Sequence, residues 1–229
     1  MGESMDVGGV AVRYRVGGDA GGRAVVLLHG LGGSGAGWGT VPERLAGEFR
    51  VFALDLRGHG DSGKPGEYSF QLMRDDVLGF LDGAGLERAA LVGHSLGAVV
   101  AVLLAQLAPE RVTHLVLEDA TVPRPGDLDR PPLPEPDEPT PYDFRAVNAV
   151  RAQLTDPDPA WWDATDAVTV PTLIIDGASS ADRQEFLAAS ADRMPNARLV
   201  TIPAGHYVHR ERPSAYLDAV LPFLRSTSG

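Results

Sequence analysis

A serine is a strong nucleophile only where a base can take its proton and N–H groups can hold the oxyanion that forms. Gly93-His94-Ser95-Leu96-Gly97 reads G-x-S-x-G. It stands between an apolar run, Ala89 to Val92, and an Ala/Val/Leu-rich stretch, Ala98 to Leu107. Strand, sharp turn and helix in that order would hold Ser95 on a strained elbow with its Oγ exposed. The helix behind it directs free N–H groups and a positive dipole end at developing negative charge. One oxyanion donor is then the N–H of Leu96, the residue after the nucleophile. The second is expected from His29-Gly30-Leu31-Gly32-Gly33, a glycine-rich loop after another apolar run, with Leu31 as the donor. Losing one such donor costs ~2.7–4 kcal/mol of transition-state stabilisation.

The base must be a histidine on a loop at the same ends of the strands. Gly205-His206 follows the last strand-like run, and His206 is preferred because it follows a glycine at a loop tip. His209 is its rival. His94 sits beside the nucleophile, His114 lies within a strand, and His59 precedes the nucleophile in the chain. Asp55 to Ser62, which contains His59, reads as a compact structural loop beside the site.

The elements that must position these residues are legible as alternating runs. Val10 to Val16 alternates with period two and could pair with a short partner at a sheet edge. Ala24–Leu28, Val51–Leu54, Ala89–Val92, Val112–Leu117, Thr172–Ile175 and Arg198–Ile202 read as strands. Val41–Glu48, Phe70–Ala84 and Ala215–Leu224 read as helices. Such alternation implies a parallel sheet with helices on both faces and ligands at the carboxyl ends of the strands. The alternation breaks at 121–168, whose first part is too rich in proline for regular structure. Tyr142–Leu154 could form one helix there, and Trp161-Trp162 follows. The expected organisation is a core of 1–120 and 169–229 with a cap insertion at 121–168.

Composition narrows the partners. The 229 residues carry 44% hydrophobic residues and a net charge of −11, which suits a globular domain and disfavours nucleic acid and anionic membranes. With no cysteine, disulfides, thiol catalysis and Cys-based metal sites are excluded. Met1 to Val10 lacks a cationic start followed by an apolar core, so a cytoplasmic protein, monomeric or homodimeric, is expected.

Together HG at 29–30, DLRGHGDS at 55–62, GHSLG at 93–97 and AGH at 204–206 resemble the α/β-hydrolase superfamily over nearly the whole chain. The resemblance implies a mostly parallel sheet of about eight strands, a nucleophile elbow at Ser95, a base at His206, and neither cofactor nor metal. Relatives with an aspartate nucleophile do not fit Ser95. One departure stands out. Family members usually carry an aspartate three residues after the glycine that follows Thr172–Ile175, and Ser180 occupies that position. Some members draw the acid from the end of the preceding strand, here Leu117-Glu118-Asp119-Ala120. Asp119 is therefore the expected acid, with Asp182, Glu118 and Asp176 as alternatives. Gly30, His94, Trp161 and Trp162 are expected at the substrate. The reading is a serine hydrolase acting on a small carboxylic ester, thioester or lactone. The same fold used as a carbon–carbon hydrolase, lyase or acyltransferase is the alternative, and a non-catalytic binder is a further one.

Overall fold

The computed structural model describes residues 2–226. The chain opens with a hairpin of β1 (Glu3–Val7) and β2 (Val10–Gly17). Gly8 and Gly9 both have positive φ, +57° and +87°, as a two-residue hairpin turn of matching twist requires. Val10 and Val12 point inward while their neighbour Ala11 is exposed, so the period-two pattern is that of an edge strand with one buried face.

The first continuous apolar run forms β3 (Ala24–Leu28), buried along its whole length. Then follow α1 (Val41–Leu45), β4 (Arg50–Leu54), α2 (Phe70–Gly83), β5 (Ala89–His94), α3 (Leu96–Leu107) and β6 (Val112–Glu118). Next come α4 (Phe144–Thr155) and α5 (Pro159–Asp163), followed by β7 (Thr172–Asp176), α6 (Ala181–Arg193) and β8 (Ala197–Thr201). The chain closes with α7 (Val208–Glu211) and α8 (Pro213–Arg225). The eight strands form one sheet in the order β1-β2-β4-β3-β5-β6-β7-β8. Strands β3 to β8 pair in parallel, and β2 is antiparallel to both β1 and β4.

Successive residues of one strand enter different cores. Val26 and Leu28 pack with α2 and α3, while Val25 and Leu27 pack with α1 and α8. That is why these strands read as unbroken apolar runs. Helix α3, apolar nearly all round, is buried on every side. No helix among the described residues is long and apolar enough to cross a membrane.

From β3 the chain goes to β4 on one side, and β5 returns to pair on the other. The order thus reverses between β3 and β5, and ligands bind such sheets at the switch point. The loops after β3 and β5 carry Gly30 and Ser95.

Four helices differ from the sequence expectation. The helix begun at Val41 ends at Leu45 rather than Glu48, because the Leu45 carbonyl accepts turn bonds from Glu48 and Phe49 N–H. Helices α5, α6 and α7 have no counterpart in the sequence reading. The proline-rich strand of chain is tied to one face of α4. Asn148 bonds both the N–H and the carbonyl of Leu133, the Arg151 Nε donates to the Pro131 carbonyl (2.8 Å), and the Thr155 hydroxyl accepts from Arg130 N–H (2.8 Å). Polar side chains thereby satisfy a backbone that proline bars from sheet or helix.

Candidate active site

Ser95 sits between the last residue of β5 and the first of α3 with φ 51° and ψ −110°. Left-handed backbone at a non-glycine residue is costly, roughly 1–3 kcal/mol, and persists only where its surroundings enforce it. Here the Ser95 N–H donates to the Glu118 carbonyl (3.0 Å), and its carbonyl accepts from Ala98 N–H (3.0 Å). The two glycines of the motif have steric reasons. A Cβ on Gly97 would penetrate the Leu28 carbonyl, and one on Gly93 would penetrate the Gly97 backbone. Strand β5, helix α3 and strand β3 thus touch backbone to backbone around the serine.

His206 lies in the loop after β8, behind Gly205 at φ 71°. Its Nδ1 stands 2.6 Å from Asp119 Oδ2. A carboxylate oxygen can only accept, so Nδ1 carries the proton and Nε2 is left as the acceptor. His206 and Ser95 line the same cavity. Asp119 follows directly on β6, fully buried, at φ 53°. Its N–H donates to the Ile175 carbonyl (2.8 Å), and its Oδ1 accepts from Gly177 N–H (3.3 Å). Among the described residues only Ser95, Asp119 and Ala178 combine a side chain with a positive φ. All three stand at this site or in the loop that holds its carboxylate.

The alternative carboxylates are engaged elsewhere. Glu118, fully buried, accepts from both the Nδ1 (2.7 Å) and the main-chain N–H (3.0 Å) of His209. Asp176 accepts from Ala178 N–H, Gln184 and Thr201. Asp182 is exposed in the first turn of α6, and Ser180 caps that helix by accepting from Arg183 N–H. The remaining histidines stand away from Ser95 Oγ or face other partners. His59 is buried with Nδ1 on the Arg57 carbonyl, and His114 faces Ser226. The Asp55–Ser62 loop is braced by Asp55, which accepts from Gly35 and Asp61 N–H. The bidentate, buried Arg57–Asp76 pair holds it from the other side.

His94 donates its Nε2–H to the His206 carbonyl (2.7 Å), tying the elbow to the loop that carries His206. Burial holds its imidazole at a pKa of about 4, so it stays neutral at pH 7. His29 does the same for the glycine-rich loop. Its Nδ1–H donates to the Gly30 carbonyl, its Nε2 accepts from Leu56 N–H, and burial pushes its pKa down to about 3. Gly30 has no room for a side chain, since a Cβ would stand 2.6 Å from His94 Nδ1 and 3.4 Å from the Ser95 Cβ. Leu31 and Leu96 both line the cavity beside Ser95. The Leu96 N–H lies in the first turn of α3, where no intrahelical acceptor exists.

This cavity has a volume of about 220 Å³ and is walled by Phe70, Val99, Val150, Leu154 and Phe186. Trp161 and Trp162 differ from expectation, because neither reaches it. Trp161 is buried edge-on against Phe70, and its carbonyl accepts from Gln106. Trp162 stacks on Phe186 between Arg124 and Arg193. The indoles back the two phenylalanines that form the wall. Sequence reasoning did not foresee the Glu118–His209 pair. Its signal was present, since two consecutive acids ending a buried strand must both find donors.

The model of the α/β hydrolase fold family matches residues 23–152. The chain belongs to the α/β-hydrolase fold family. It is 29% identical to an sn-1-specific diacylglycerol lipase of Mus musculus, over 97% of this chain and 88% of that one. The solved enol-lactonase of Burkholderia xenovorans superposes on this α/β hydrolase with a TM-score of 0.82 and 25% identity, covering 98% of this chain and 100% of that one. A shorter match, 40% identical over 50% of this chain, is to the dihydrolipoyllysine-residue acetyltransferase component of the acetoin cleaving system of Pseudomonas putida. It spans about a third (31%) of that longer protein.

Proposed function

We propose that this protein is a serine hydrolase that cleaves a small carboxylic ester, thioester or lactone through an acyl-enzyme on Ser95. The observation that carries the reading is the 2.6 Å contact of His206 Nδ1 with buried Asp119, with His206 sharing one cavity with a serine held on a left-handed elbow. A lipase and an enol-lactonase among its similar proteins support ester-type chemistry. The cavity of about 220 Å³ suits a short acyl group.

In this mechanism Ser95 Oγ attacks the carbonyl carbon while His206 Nε2 takes its proton. Asp119 keeps the imidazole proton on Nδ1 and stabilises the imidazolium. The N–H groups of Leu31 and Leu96 hold the oxyanion. Collapse of the tetrahedral intermediate expels the alkoxide or thiolate, which receives the proton from His206. Water then attacks the acyl-enzyme, giving its proton to His206, and the released acid leaves Ser95 protonated again. Segment 121–168 acts as the cap, since Pro123, Leu128 and α4 face the nucleophile across the cavity.

A fluorophosphonate probe tests this without a guess at the substrate. Intact mass and peptide mapping should place one label on Ser95. Ser95→Ala should lose the label and reduce turnover of a p-nitrophenyl ester by about 10⁶-fold, the order found when the subtilisin serine is removed. Failure of the folded protein to label or turn over any short ester overturns the reading.

A further inference from the structure

Acidic residues outnumber basic ones in this chain, 31 to 20. The cavity at Ser95 inverts that balance. Arg130, Arg151 and Arg183 line it, and no aspartate or glutamate does. The three come from separate elements, the proline-rich segment, α4 and the first turn of α6. Some arginines elsewhere are matched to carboxylates, as in Arg57–Asp76, Arg145–Asp143, Arg193–Asp166 and Arg225–Glu48. None of the three cavity arginines has an ion-pair partner among the described residues. Arg151 spends its Nε on the Pro131 carbonyl, which leaves its two terminal amino groups free and fixes the plane of the guanidinium. Arg130 and Arg183 make no side-chain hydrogen bond among the described residues. Arg130 and Arg183 stand between this cavity and an adjoining groove that does not reach Ser95, where Asp182 and Glu185 lie without forming an ion pair to them and Asp127 is paired with Arg124.

Like charges gathered around one apolar-walled space repel each other and focus a positive potential into it. A bound oxyacid anion relieves both effects, and guanidinium groups match such anions with paired, charge-assisted hydrogen bonds. We infer that Arg130, Arg151 and Arg183 form an anion subsite, and that the substrate carries a carboxylate or phosphate group away from its scissile carbonyl. The inference rests on Ser95 as the nucleophile for placing the scissile bond. The anion belongs either to the acyl group, as in a dicarboxylic monoester, or to the leaving group, as in a phosphate-bearing thiol.

Two arms separate these sources. One compares the p-nitrophenyl monoester of adipate with p-nitrophenyl hexanoate. The other compares acetyl-coenzyme A with the uncharged acetyl thioester of N-acetylcysteamine. In one arm kcat/KM of the anionic member should exceed that of its neutral partner by about tenfold or more at low ionic strength, the effect of one charge-assisted hydrogen bond. The ratio should narrow in 0.5 M salt, roughly a Debye length of 4 Å. It should fall at least about fivefold in Arg183→Gln and in Arg130→Gln, whose native side chains hold no other part of the fold. Calorimetric titration of Ser95→Ala with monomethyl adipate and with methyl hexanoate, and with coenzyme A, reads the subsite without turnover. Ester turnover with no anion preference in either arm overturns the subsite and leaves the hydrolase reading standing. Absence of turnover with arginine-dependent binding of an anion to Ser95→Ala overturns the hydrolase reading and sustains the subsite.

Discussion

Replacing Asp119 by Asn isolates the role of its charge. Asparagine tolerates left-handed backbone as well as aspartate does, so the turn at φ 53° survives. The side chain is fully buried and isosteric, so no cavity opens. What changes is the pattern of donors. Gly177 N–H points at Oδ1 from 3.3 Å and needs an acceptor there. The amide oxygen therefore takes that side, and the amide NH₂ turns to His206 where Oδ2 stood at 2.6 Å. An NH₂ donates, so Nδ1 must accept and the imidazole proton moves to Nε2, the atom that has to receive the proton of Ser95. The wrong tautomer and the missing counter-charge act together. In a trypsin-type serine protease the same change costs ~10⁴ in kcat, about 5.4 kcal/mol of barrier. We expect a loss of that order here, with the fluorophosphonate labelling rate falling in parallel and the circular dichroism spectrum unchanged. The assay is steady-state hydrolysis of a short p-nitrophenyl ester by Asp119→Asn beside Asp182→Asn. A loss below tenfold in folded Asp119→Asn, or a larger loss in Asp182→Asn, would refute the reasoning.

Two further outcomes concern stability. Glu118→Leu leaves the main-chain and ring N–H of buried His209 without acceptors, and removing one member of such a buried pair costs about 3–5 kcal/mol. Urea unfolding at pH 7 reads this directly, and a change under about 1 kcal/mol would show that the pair is dispensable. His29 and His94 have folded-state pKa values of about 3 and about 4, below the ordinary 6.5. The unfolded chain therefore binds protons that the folded chain refuses, so stability is full above pH 6.5 and falls with pH below it, towards those two values. At pH 5 each residue should remove about 2 kcal/mol. Urea midpoints that do not move between pH 7 and pH 5 would contradict this.

Much of this fold is legible because its signals are local. Ala24–Leu28 is buried on both faces and shows it as an unbroken apolar run, and the elbow announces itself by two glycines that no other residue can replace. What stays hidden is relational. Helix α6 buries little beyond Leu187 and Ser190, so it shows no apolar stripe. The size of Trp161 and Trp162 says that they need cover, but not that Phe70 and Phe186 will stand between them and the cavity. Asp119 ranks first among the candidate acids through the family resemblance, because Ser180 stands where the acid is usual. The left-handed turn that aims its carboxylate at His206 is absent from the letters. The three cavity arginines come to line one space only in the folded chain, and each alone reads as a solvated surface charge.

The end of β6 concentrates dependence. Its last carbonyl receives the Ser95 N–H, the Glu118 side chain anchors the start of α7 through His209, and Asp119 one residue later meets His206. A shift of that strand by one residue would exchange two acids of opposite facing and disconnect Ser95, the His206 loop and α7 in a single step. The loop after β7 contributes mainly the Gly177 N–H to Asp119, with the Ser179 hydroxyl at a longer 3.5 Å. Its tip at Ser179 and Ser180 is exposed, but Ser180 caps α6 and Ser179 reaches Asp119. Three separate contacts thus hang on two consecutive residues, Glu118 and Asp119, which makes this strand end the place where insertion or deletion is least tolerated.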